Sequence, residues 1–170
     1  KLNPLDYETA FPSIMKNGGF DAIVGNPPYV RQESLGIQKD YFQKKYKVYH
    51  GMADLYTYFF EKGINLLKRE GLFAIIVGSK WMRAKYGEPL RKWLKEQKII
   101  QLIDFLDLPV FKGATTYTCI SIIGPANEKS KKEEYQINVA NVTTLKFEKL
   151  EDFVSKNFTL LPSNSLTDSV

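Results

Sequence analysis

The six residues Phe20-Asp21-Ala22-Ile23-Val24-Gly25 constrain the fold of this chain more than any other stretch. They form a short, β-branched apolar run, entered through Asn17-Gly18-Gly19 and stopped by Asn26-Pro27-Pro28. A run this short between breakers reads as a buried strand rather than a helix. The chain therefore turns at Asn26, directly after a strand, and two successive prolines stiffen that turn by fixing φ and removing two backbone donors.

Around this strand the remaining pattern alternates. From Asp54 to Gly71, Leu55, Phe59, Gly63 and Leu67 recur every four residues, with Tyr56, Phe60 and Ile64 beside them, which predicts a helix with a wide apolar stripe. Asp54 is placed to cap its start, Lys68 and Arg69 suit the negative end of its dipole, and Gly71 stands where a left-handed C′ residue is wanted. Leu72–Val77 reads as a second buried strand. Glu88-Pro89 opens a second helix with Leu90, Trp93 and Leu94 inward, since proline is tolerated at the first helical position. Ile99–Phe105 and Tyr117–Ile123 are further strands, separated by the loop Leu106–Thr116. Leu35–Tyr49 reads as a loose helix, Glu128–Glu134 as a solvated charge run and Tyr135–Val142 as a weak strand. The order of these elements predicts an α/β fold with a mostly parallel sheet and right-handed crossovers. No helix precedes Tyr117, so that last strand is expected to return antiparallel.

Composition narrows the class. Across 170 residues, 44% are hydrophobic and 25% charged, as in a soluble globular domain with a real core, which excludes disorder and a collagen-like fibre. No apolar run reaches the length of a membrane span, and the first residues are too polar for a signal peptide. One cysteine, Cys119, and one histidine, His50, exclude a disulfide framework and a Cys/His zinc cluster, so no metal site is expected. The net charge of +5 is compatible with a nucleic-acid partner without demanding one. The start at Lys1-Leu2-Asn3-Pro4 and the polar end after Pro162 read as a piece of something longer.

The turn after the first strand carries the chemistry. In open α/β sheets ligands bind at the carboxyl ends of strands. Prolines there leave carbonyls rigidly aimed and free to accept, Asn26 adds a side-chain acceptor, and Tyr29 adds a flat face with a polar tip. Two fixed acceptors match the two hydrogens of a planar amino group. Drawing those hydrogens out of plane localises the nitrogen lone pair for attack. A merely rigid turn is the plainer alternative.

The segment Phe20–Arg31, with Asn26-Pro27-Pro28-Tyr29 at its centre, resembles the catalytic motif of adenine-N6 DNA methyltransferases, especially those of type II and fused type IIG restriction–modification enzymes. The likeness runs through Asn3-Pro4-Leu5-Asp6-Tyr7, Phe11-Pro12, Asp54-Leu55-Tyr56, Trp81, Tyr86-Gly87, Leu90-Arg91 and Asp104-Phe105 to Val110-Phe111 and Ile123. It implies a partial Rossmann-like methyltransferase sheet with helices on both faces. Residues 1–125 would be the substrate-binding half of the catalytic domain, and 126–170 a linker or the start of a target-recognition region. By position, Asn26 and the Pro27 carbonyl would accept from the amino group of an adenine flipped out of double-stranded DNA. Tyr29 would stack on one face of that base and Phe111 on the other. Phe59 matches a position near the adenosine of the cofactor, S-adenosylmethionine. A prokaryotic, cytoplasmic setting is implied as well.

The glycine-rich cofactor turn of such enzymes has no counterpart, because the chain contains no Gly-x-Gly. Alone, it is expected to have little or no activity. Two other functions stay open: a protein-glutamine N-methyltransferase, which uses the same tetrapeptide on a planar amide, and a non-catalytic DNA-binding module. Among weaker signals, Lys39–Tyr49, Arg83 and Lys85 are candidates for DNA phosphate contacts, Glu96 and Lys98 read as helix surface, and His50 reads as structural.

Overall fold

The computed structural model describes residues 5–111, 117–127 and 133–165. Two short helices come first, α1 (Tyr7–Ala10) and α2 (Pro12–Lys16), and neither was expected. Local chemistry starts both: the Asp6 carboxylate accepts from the Glu8 and Thr9 N–H groups, and Pro12 stands in the first turn of α2. The expected strand follows as β1 (Phe20–Gly25), but it is not buried as expected: none of its residues is fully buried, because among the described residues it lies at the end of the sheet. After it come α3 (Gln38–Lys45), α4 (Tyr56–Asn65), β2 (Leu67–Gly78), α5 (Glu88–Lys95), β3 (Lys98–Asp104) and β4 (Thr118–Gly124). The last elements are β5 (Gln136–Asn141), α6 (Leu150–Asn157) and β6 (Phe158–Pro162). None of the described helices is long and apolar enough to cross a membrane.

The strands form one sheet in the order β1-β2-β4-β3-β5-β6. β1 and β2 are parallel, β4 lies antiparallel between β2 and β3, and β5 is parallel to β3. The fold is thus the expected α/β sheet with β4 returning antiparallel. β6, which closes the edge antiparallel to β5, was not expected. The boundary expected between residues 125 and 126 falls between two strands of this one sheet. The α/β core buries Phe60, Phe73, Ile75, Val77, Trp81, Leu90, Leu94 and Ile123. A smaller cluster under α6 collects Ile103, Phe105, Ala140, Val142 and Val154.

The helix expected from Asp54 to Gly71 is corrected at both ends. It stops at Asn65, and Leu67 to Gly71 already belong to β2. Leu67 keeps the four-residue rhythm because it faces the same core from the strand. Gly71 is not a left-handed cap: a Cβ there would lie 2.7 Å from the Phe20 carbonyl oxygen, so β1 can pass close only because the side chain is missing. Lys68 pairs with Asp21 across the β1–β2 edge instead of capping the helix. Asp54 does not cap it either; α4 has no side-chain cap, and the carboxylate binds elsewhere. The helix opened by Glu88-Pro89 forms as expected, with Leu90, Trp93 and Leu94 buried.

Candidate functional site

Strand directions decide what can meet. β3 runs parallel to β1 and β2, since β4 is antiparallel to both β2 and β3. The turn after β1 (Asn26–Tyr29), the segment after β2 (79–87) and the loop after β3 therefore leave from the same edge of the sheet. That is the edge at which open α/β sheets bind ligands.

At this edge Asn26, Pro27 and Pro28 line an open cleft of about 640 Å³. The cleft floor is β1 itself, with Ile23, Val24 and Gly25, and the wall is α4, with Phe59, Lys62 and Gly63. Phe59 and the first three residues of the tetrapeptide, Asn26, Pro27 and Pro28, thus line one cavity. Asn26 is exposed, so its amide is free to reach a ligand, whereas Pro27 is buried and anchors the turn. The carbonyl of Pro28 is taken by the Val30 N–H at 3.0 Å. Among the described residues no backbone N–H donates to the carbonyl of Pro27. The Pro27 carbonyl is thus without a backbone donor, next to the exposed side-chain amide of Asn26.

Tyr29 stands just outside this cavity, 43% exposed. Its ring lies 6.2 Å from that of Tyr56 at 49°, and burial of the phenol raises its pKa, so it remains neutral. Tyr56 is buried, and its hydroxyl meets that of Tyr86 at 3.3 Å. Tyr86 belongs to the segment 79–87, which the buried Arg91 fixes by donating to the Trp81 carbonyl at 2.7 Å and the Ala84 carbonyl at 2.9 Å. Gly87 completes the packing, because any Cβ would sit 2.0 Å from the Trp81 carbonyl oxygen. A line of contacts thus runs from α5 through Tyr86 and Tyr56 to the ring of Tyr29.

Phe111 is at the same sheet edge by topology, half-buried in the loop after β3, and is absent from both apolar clusters. That loop begins with Leu106 in the left-handed region at φ 54°, where its N–H donates to the Asp104 carboxylate at 3.0 Å. Residues 112–116 of the expected loop lie outside the described residues.

Other sequence candidates sort more simply. In the Lys39–Tyr49 stretch, Phe42, Tyr46 and Tyr49 turn inward on Tyr58, with Phe42 stacked at 4.3 Å. Lys44, Lys45 and Lys47 remain exposed. Arg83 is exposed and reaches Asp104 at 3.4 Å. His50 accepts from the Met52 N–H, a local turn contact in keeping with a structural role.

Tyr7 and Phe11, which carry part of the family resemblance but were given no role in the sequence, belong to this cleft. Tyr7 and Phe11 line the cleft and pack on Phe20, and Lys62 lies 4.7 Å over the Tyr7 ring. Their signal was available: an aromatic pair four residues apart, just behind the capping Asp6.

A family model for the Eco57I restriction-modification methylase matches residues 1–111. The chain belongs to this family. Among relatives of the Eco57I methylase family, the type II restriction enzyme and methyltransferase RM.Eco57I of Escherichia coli is 36% identical over 132 residues. That match takes in 75% of this chain and 13% of the relative. The type II methyltransferase M.XhoI of Xanthomonas vasicola is 35% identical over 115 residues, 66% of this chain and 21% of the relative. The chain therefore spans a small share of the curated relatives it matches. Among solved structures, the type IIL restriction-modification enzyme MmeI in complex with DNA superposes with a TM-score of 0.64 at 15% identity, over 98% of this chain and 21% of that one. A class I S-adenosylmethionine-dependent methyltransferase from Listeria monocytogenes gives 0.61 at 18%, over 81% of this chain and 41% of that one. These likenesses establish the methyltransferase fold for the Eco57I-family chain.

Proposed function

We propose that this chain is the target-facing portion of a DNA methyltransferase that moves a methyl group from S-adenosylmethionine to N6 of a flipped adenine in a restriction–modification system. The observation that carries this reading is the turn Asn26-Pro27-Pro28-Tyr29, held at the ligand-binding edge with the exposed Asn26 amide and the Pro27 carbonyl at a cleft. In this reading the Asn26 side-chain oxygen and the Pro27 carbonyl each accept one hydrogen of the adenine amino group. The nitrogen lone pair then points along the line of attack, and the proton it sheds leaves to solvent. Tyr29 stacks on the base, backed by Tyr56, and Phe111 covers the opposite face. Stacking of about 1–3 kcal/mol per face offsets the few kcal/mol lost on flipping the base.

The cofactor fits the cleft only partly. Phe59, exposed on α4 and lining the cavity, offers an aromatic surface to an adenosine ring. No carboxylate is among the described residues that line it, and the chain has no Gly-x-Gly to cradle the rest. When bound, S-adenosylmethionine supplies the electrophilic methyl group. We infer that the chain by itself transfers little or none, that residues beyond 126 lead toward the region that reads DNA sequence, and that Arg83, Lys85 and the exposed Lys44, Lys45 and Lys47 meet phosphates.

The test is Asn26→Ala in the full-length protein, assayed with labelled cofactor and mixed-sequence DNA. Removing one of two aimed hydrogen-bonding groups is expected to lower the transfer rate by about a hundredfold to a thousandfold. The exposed position leaves the melting temperature unchanged. Transfer at the wild-type rate would refute the role given to Asn26.

A further inference from the structure

Asp54 sits where a helix cap belongs and is used for something else. α4 begins at Tyr56, Leu55 already has helical angles of φ −53° and ψ −37°, and no side chain caps the start. The Asp54 carboxylate instead accepts from the Gln32 N–H, at 3.3 Å. Next to it, the Leu55 N–H donates to the Val30 carbonyl at 3.0 Å. The third consecutive residue, Tyr56, packs its ring against that of Tyr29. Residues 54, 55 and 56 thus hold residues 32, 30 and 29 in turn.

That arrangement matters because of what lies between. The prolines fix the backbone only through residue 28, and Tyr29 follows them half-exposed at the rim of the cleft. Without a tie beyond it, the ring would sample several orientations. Burial raises the pKa of the Asp54 carboxyl and Glu33 adds to the rise, while the hydrogen bond from the Gln32 N–H, and more weakly Arg31 and Lys80, oppose it. The acceptor is therefore kept in a setting that disfavours its charge, which a simple solvent-facing cap would not need.

We propose that Asp54 is a positioning residue for Tyr29, strapping the exit of the tetrapeptide to the start of α4 through the Gln32 N–H. The strap itself rests on geometry alone, and its effect on turnover rests on the methyltransferase reading above.

Two substitutions cut the strap from opposite ends in the full-length protein. Asp54→Ala removes the acceptor, and Gln32→Pro removes the donor. Proline suits position 32, which opens a 3₁₀ turn after Arg31 in the extended conformation, φ −68° and ψ 149°. Asp54→Asn and Gln32→Ala are the controls, since one keeps an oxygen acceptor and the other keeps the N–H. Both cuts are expected to lower kcat at saturating cofactor about tenfold, with the cofactor KM within about twofold, as for a misplaced rather than a missing group. Both should also speed hydrogen exchange of amides 30–35 about tenfold or more while β2 and β4 stay protected. The controls should match the wild-type protein in both readouts. Unchanged exchange at 30–35 in the cut variants would overturn the proposal. So would an Asp54→Asn variant as impaired as Asp54→Ala, or equal loss of protection throughout the sheet. If the wild-type protein transfers no methyl group to DNA, the functional reading fails, and the exchange result alone decides whether the strap exists.

Discussion

The two sides of α4 separate the surface that lines the cleft from the packed core. Phe59 and Phe60 are neighbours in sequence, yet Phe59 is 40% exposed and lines the cleft, whereas Phe60 is fully buried against Phe73 and Trp81. The same contrast runs through the sheet. Among the described residues β1 has a strand partner on one side only, and Val24 is 83% exposed, while β4 lies between two strands with Cys119 and Ile123 fully buried. Burial pushes the Cys119 thiol up to about 12, so it is a packing group rather than a reactive one. Open surface thus gathers on the cleft side of α4 and β1, and tight packing on the other side.

That division predicts unequal costs. Phe60→Ala should lose about 3–5 kcal/mol of stability in a denaturant titration, as for large-to-small changes in a packed core. Tyr86→Phe should cost about 1–3 kcal/mol, because it leaves the buried Tyr56 hydroxyl without its partner. Adding Tyr56→Phe should restore most of that loss, and a double variant worse than the single would break the account of the tyrosine stack. Phe59→Ala should change stability by less than about 1 kcal/mol while weakening cofactor binding about tenfold, roughly the worth of one stacked ring. A stability loss matching that of Phe60→Ala would erase the contrast between the two faces. At the small end, Asp21→Asn removes an exposed pair with Lys68, and the unfolding midpoint should not move.

How much of this was legible depended on whether local chemistry and tertiary use agreed. β1 and its turn were readable because breakers bound the run on both sides and two prolines force the chain out of the strand. The return of β4 followed from the missing helix before it. The end of α4 was misread because Leu67 serves the same core from β2, so the helical rhythm outlasts the helix. Gly71 and Asp54 were misassigned for one reason: each is of a residue type that suits a cap, and each is engaged with β1 or its exit, a contact invisible in sequence. β6 escaped because its residues are largely exposed and show no alternation. Of the site, Asn26, Pro27, Pro28 and Phe59 do share one cleft. Tyr29 and Phe111 stand at the same edge, and the place of Tyr7 and Phe11 in the cleft was not read because the helices beside them are barely a turn long.

The central claim concerns which nitrogen receives the methyl group. The full-length protein, supplied with labelled S-adenosylmethionine and mixed-sequence double-stranded DNA, should yield label in N6-methyl-2′-deoxyadenosine after digestion to nucleosides. Label on cytosine, on a protein glutamine, or nowhere would contradict it.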